Sequence, residues 1–144
     1  MPVITDKNVF DQGDYVTKNA AQFSRLLNEI GPAMKGNFEL VKTAVVLRLW
    51  KEIIKRTPVK TGLARANWQI GVERNHDEVG LTPLSPDIKK MRKVDILFIF
   101  NNLPYIERLE AGSSTQAPVG MVGLALNSIS IYLKQEMQKL GMKV

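Results

Sequence analysis

Cysteine is absent from the 144 residues. Disulfides and thiolate metal ligands are thereby excluded, and the absence fits a reducing compartment. Histidine occurs once, as His76, inside the charged run Arg74-Asn75-His76-Asp77-Glu78. A zinc site of the usual kind lacks ligands here, and a lone loop histidine reads as a solvated side chain before it reads as a general base. No serine sits in a Gly-x-Ser-x-Gly elbow, and Gly112-Ser113-Ser114-Thr115 lacks the lysine and the glycine spacing of a phosphate loop. The apolar runs fall far short of the roughly 20 residues that a membrane-spanning helix needs. Residues 1–13 carry Asp6, Lys7 and Asp11 with no apolar stretch, unlike a secretory signal. The expectation is a protein made in the cytoplasm, without membrane contact, cofactor or metal.

What is present is ordinary in amount and uneven in placement. The hydrophobic fraction is 44% and the charged fraction 24%, which suits one globular domain. The net charge is +6. Residues 42–93 hold twelve Lys/Arg against five Asp/Glu, a local balance of +7, and the remainder balances at −1. The densest basic cluster is Lys89, Lys90, Arg92 and Lys93, and a second gathers Lys55, Arg56, Lys60 and Arg65. Such clusters attract phosphates or acidic partners, and are also what solvated helix faces look like. No helix-turn-helix, zinc-finger or RNP-type aromatic pattern accompanies them.

Periodicity sets the elements. Residues 1–13 show neither period and read as an arm, with a single domain over 14–144. A first helix is predicted over 14–30, capped by Asp14, with Phe23, Leu26, Leu27 and Ile30 on one face. Gly31-Pro32 stops it. The second helix, over 32–56, carries the stripe Val45, Val46, Leu49, Trp50, Ile53 and Ile54. Thr57-Pro58 ends it, because a residue before proline is pushed out of the α region. Alternation of Ala66, Trp68, Ile70 and Val72 with polar or small neighbours predicts a strand over 66–72. Residues 74–93 form a long excursion with a helical turn near 87–91.

A second, nearly all-apolar strand follows over 94–100. Pro104 starts a short helix through Glu110, and Gly112 ends it. A final helix over 118–140 places Val122, Leu126, Ile129, Leu133, Met137 and Leu140 on one face. The fold class is therefore α+β, a small, mainly antiparallel sheet packed by two long helices, one before the sheet and one at the C-terminus. Two strands make a poor sheet, so further strands are expected within 74–93 or from a neighbouring subunit.

The one paired-acid candidate is Glu107 with Glu110, three apart and so on one helix face. Acid/base or metal work is possible for such a pair, but a solvated face beside Arg108 is the preferred reading. Nothing in the sequence demands an enzyme.

Three stretches taken together carry a resemblance. The run Arg56-Thr57-Pro58-Val59-Lys60-Thr61-Gly62-Leu63-Ala64-Arg65-Ala66-Asn67-Trp68 resembles the Pro-Val-x-Thr-Gly-x-Leu-Arg-x-Ser/Asn segment of neck, minor tail and tail-completion proteins of long-tailed bacteriophages. Residues 101–114, with Asn101, Tyr105, Leu109, Glu110 and Gly112, resemble that family's Asn-x-x-x-Tyr-x-x-x-Leu-Glu-x-Gly segment. Gln116-Ala117-Pro118-Val119-Gly120-Met121 is similar to its Gln-Ala-Pro-x-Gly-Met stretch. Order and spacing agree over residues 38–135. Two departures stand out: Ala64 precedes Arg65 where the family brings its basic residue sooner, and the 1–13 arm has no counterpart.

The resemblance implies a structural virion protein at the head–tail junction. It would form a homo-oligomeric ring, commonly a hexamer, between head-closure or connector proteins and tail-terminator or tail-tube proteins. Such a ring surrounds the DNA channel. The expected contact residues are Thr57, Pro58, Val59, Thr61 and Gly62 in the first loop and Tyr105, Glu107, Glu110, Gly112, Gln116, Pro118 and Gly120 around the second. Lys89, Lys90, Arg92 and Lys93 are expected to face passing DNA or an acidic neighbour. The alternative is a small basic nucleic-acid-binding protein, and a metal-dependent nuclease built on Glu107 and Glu110 is a third reading.

Overall fold

The computed structural model describes residues 37–73 and 80–142. The arm, the helix predicted over 14–30 and His76 lie outside the described residues. The elements run α1 (Phe38–Arg56), α2 (Leu63–Ala66), β1 (Gln69–Gly71), α3 (Ile88–Lys93), β2 (Phe98–Phe100), α4 (Ile106–Glu110), α5 (Val122–Asn127) and α6 (Ile129–Lys139). The fold is α+β, as its periodicities imply.

Helix α1 is the spine. Its stripe behaves as the spacing predicts: Val45, Leu49 and Ile53 are buried, and Val46, Trp50 and Ile54 pack against the same core. That core also takes Trp68 between α2 and β1, Ile99 from β2, Ile106 from α4, Val122 and Ala125 from α5, and Tyr132 from α6. A second cluster, Val41 and Val45 with Leu133 and Met137, closes the start of α1 against the end of α6.

The seam between these helices is also charged. Arg48 lies 4.7 Å from the centroid of the Tyr132 ring and donates to Glu52 and, at 3.4 Å, to Glu136. Arg56 closes on Glu52 from the next turn. The Arg56 hydrogen bond holds the Glu52 carboxyl below its ordinary value of 4.5, against the opposing effect of burial and with help from Arg48. A lowered folded-state pKa means that the stabilisation is complete above the ordinary value and drains away as pH falls through the folded one. E52Q should therefore cost about 1 kcal/mol at neutral pH. Its deficit against the wild type in thermal melts should shrink below about pH 4.5. A gap that stayed constant down to about pH 3 would show that the ion pair is not its source.

The sheet has two strands among the described residues. β1 runs antiparallel to β2 in the register Gln69↔Phe100, Ile70↔Ile99, Gly71↔Phe98. Both strands are shorter than expected. The 66–72 alternation begins too early, because Leu63-Ala64-Arg65-Ala66 is made of good helix formers and folds as α2. Buried Gln69 and exposed Val72 break the apolar-in, polar-out pattern. In the 74–93 excursion the described part, from residue 80, contributes no strand. It forms α3 instead, whose Asp87 accepts from the Lys90 N–H at 3.2 Å.

The C-terminal helix also differs from expectation. It begins at Val122, not at Pro118, and is interrupted at Ser128. Leu140 sits past its end and is exposed.

Candidate assembly surface

Thr57 is the pivot on which the first loop turns. Its hydroxyl donates to the Ile53 carbonyl at 2.7 Å and accepts from the Trp68 indole at 2.8 Å. Its own carbonyl accepts from Arg65 Nε at 2.8 Å, while a second Arg65 nitrogen reaches the Lys55 carbonyl. Arg65 thus satisfies carbonyls left open at the end of α1. Trp50 donates to the Trp68 carbonyl at 2.9 Å, so both indoles are satisfied. Asn101 fixes the other side, donating to the Ala64 carbonyl at 2.9 Å and accepting from the Leu103 N–H at 3.1 Å. It is fully buried.

The second loop is built around Glu110. The first turn of α5 opens on Met121, whose side chain makes no cap hydrogen bond. Glu110 supplies the missing cap from a distance. Its Oε2 accepts from Met121 and Val122 N–H groups, both at 2.9 Å, and its Oε1 accepts from Gly123 N–H at 3.0 Å. Negative charge against three helix-terminal N–H groups is favourable both as hydrogen bonding and as dipole complement. The sequence singles out Glu110 as a solvated or paired acid and as an expected contact residue, not as a helix cap. The available signal was the bare start of α5, which no Ser, Thr, Asp or Asn caps.

Two glycines permit this closure. Gly112 ends α4 with φ +94° and Gly120 precedes α5 with φ +84°. A Cβ on either would fall 2.3 Å from a carbonyl oxygen, that of Pro118 for Gly112 and that of Glu110 for Gly120.

The loops at 57–63 and 112–120, some 50 residues apart, meet through one side chain. Gln116 Oε1 accepts from the Val59 N–H at 2.9 Å, and its Nε2 donates to the Val59 carbonyl at 3.1 Å. A side-chain amide thus pairs with the backbone of Val59 as a neighbouring strand would. Between the loops lies an open cleft of about 780 Å³, lined by Pro58, Lys60, Tyr105, Leu109, Ser113 and Thr115 among others.

The expected contact residues divide in two. Val59, Thr61, Glu107, Gln116 and Pro118 are exposed, and Pro58, Gly62, Tyr105 and Gly112 are half-buried. Thr57 and Gly120 are buried inside the subunit, one beneath Trp68 and the other against Glu110. Glu110 has its oxygens engaged by its own chain. The cluster of Lys89, Lys90, Arg92 and Lys93 is exposed on α3, away from the cleft lining. Of the second basic cluster, Arg56 and Arg65 are held by their own chain, while Lys55 and Lys60 are exposed. Sequence reading missed Lys60, Ser113 and Thr115 as cleft residues.

Among the described residues, no group of three or more His, Asp or Glu side chains is arranged to hold a metal ion, and no helix is long and apolar enough to cross a membrane. Compared with known proteins, the chain matches no family model, no curated protein and no solved structure.

Proposed function

We propose that this chain is a structural virion protein of a long-tailed bacteriophage, a ring-forming subunit of the neck or tail-completion region that joins head to tail around the DNA channel. It works by contact with copies of itself and with connector and tail-tube or tail-terminator neighbours, and makes or breaks no bond. The observation that carries this reading is the convergence of the motif-bearing loops. Gln116 ties the third of the resembling stretches to the first at Val59, and residues of all three line one open cleft.

Closed rings need two different surfaces per subunit that meet by rotation. The cleft with its exposed rim offers one such surface. The occupied carboxylate of Glu110 takes away one half of the only acid pair that suggested a nuclease. The alternative of a small nucleic-acid-binding protein draws on the exposed cations of α3, and requires steeply salt-dependent DNA binding by the isolated chain.

The test uses Val59→Asp and Val119→Asp, placed at side chains 42% and 65% exposed, so that folding is spared. In a phage dependent on the variant gene, each should leave heads and tails unjoined. Titre should fall at least about a hundredfold, because every interface would bury an unpaired charge. Normal titres for both variants would remove the cleft and its rim from the joining surface.

A further inference from the structure

We infer that α3 and the notch beside it form a docking surface for an acidic protein segment that carries one bulky apolar side chain. At about 100° per residue, Lys89, Lys90, Arg92 and Lys93 span an arc of about 160° whose centre lies opposite Met91. Met91 is 2% exposed and pins the helix to the core, so the cations all face outward, and all four are exposed. None of them takes part in an ion pair among the described residues. Two acids flank the cluster in sequence: Asp87, which accepts from the Lys90 N–H, and Asp95, exposed two residues past Lys93 and in no ion pair among the described residues. Lys42 from α1 fastens the segment just past the helix by donating to the Val94 carbonyl.

Beside this basic face, and sharing Lys90 with it, lies a notch of about 250 Å³ between α3 and the sheet. Gly71, Met91 and Phe100 line its apolar part, and Leu84 stands at its edge. Gly71 leaves no room for a side chain on the notch wall, since a Cβ there would lie 2.7 Å from the Glu73 carbonyl oxygen and 3.3 Å from the Phe100 ring. Leu84 and the neighbouring Ile88 are 51% and 44% exposed. Glu73 and Asp87 also line the notch, together with Lys90.

The volume is below the usual range for small-molecule pockets, and suits a single inserted side chain. Exposed aliphatics beside charge mark protein contacts. A phosphate backbone has no use for such a notch. The charge selects an anionic partner, and the notch selects one with an apolar anchor. This inference does not rest on the ring reading, and its failure leaves that reading intact.

The experiment titrates the full chain against fluorescent probes at one salt concentration. The probes are a glutamate-rich peptide with a single central leucine, the same peptide with alanine there, mixed-sequence duplex DNA, and phosphatidylserine vesicles. The leucine peptide should bind at least about tenfold more tightly than the alanine peptide. The quadruple variant K89E/K90E/R92E/K93E should lose both peptides. S85W, which fills the notch from an exposed position, should erase only the leucine advantage. Equal affinity for the two peptides would overturn the inference. So would tighter binding of DNA or of the vesicles than of the leucine peptide.

Discussion

Replacing Glu110 with alanine should cost about 3 kcal/mol of folding stability and lower the melting temperature by about 10 °C. The size follows from what one carboxylate does. It alone accepts from three consecutive N–H groups at the start of α5, and Met121 offers no substitute. Removing it leaves part-buried donors facing carbon, which costs more than the hydrogen bonds themselves are worth. E110Q should recover part of the loss, because the amide oxygen still accepts while the NH₂ group confronts a donor. Thermal melts of the three proteins give the order wild type, glutamine, alanine. Coincident melts for wild type and E110A would mean that α5 finds its cap elsewhere.

The largest effects are expected at two glycines. G112A and G120A should each cost more than about 3 kcal/mol, because the new methyl meets a carbonyl oxygen at 2.3 Å and the positive φ adds its own penalty. Gly62 is the control. Its φ is +88°, yet nothing lies within 4 Å of a Cβ built there. G62A should therefore lose only the left-handed penalty, about 1 kcal/mol. Denaturant midpoints rank the three. Equal midpoints for all three variants would show that the 112–120 loop opens to admit a methyl group, contrary to the tight closure described above.

These variants mark how far the chain is legible. Helix α1 could be read from its stripe and its Thr-Pro stop because both signals are local and agree. The same holds for α4, bounded by Pro104 and Gly112. The first strand is shorter than its alternation because Ala66 satisfies a period of two as well as a helix, and the helix-forming run 63–66 decides the outcome. The start of α5 was misplaced because its cap comes from Glu110, eleven residues away in sequence. No pattern within 118–122 contains that information.

The candidate surface was legible as residues and not as roles. Motif spacing singled out Thr57, Gln116, Glu110 and Gly120 alike. Only packing divides them, placing Thr57 under an indole and Gly120 under a carbonyl, while Gln116 stays exposed and bridges to Val59. Burial depends on what covers a loop, and a linear pattern does not say what that is. The notch beside α3 was invisible for the same reason, since Gly71, Met91 and Phe100 come from three separate elements.

The measurement that bears most directly on the proposed head–tail role is a cryo-electron microscopy reconstruction of particles from the phage that this proposal requires. A subunit of the joining ring should appear as a symmetric annulus at the head–tail junction, with copies meeting through the Val59 and Gln116 rim. Particles made without the gene should separate into filled heads and free tails. Complete, infectious particles whose junction holds no density for the chain would contradict it.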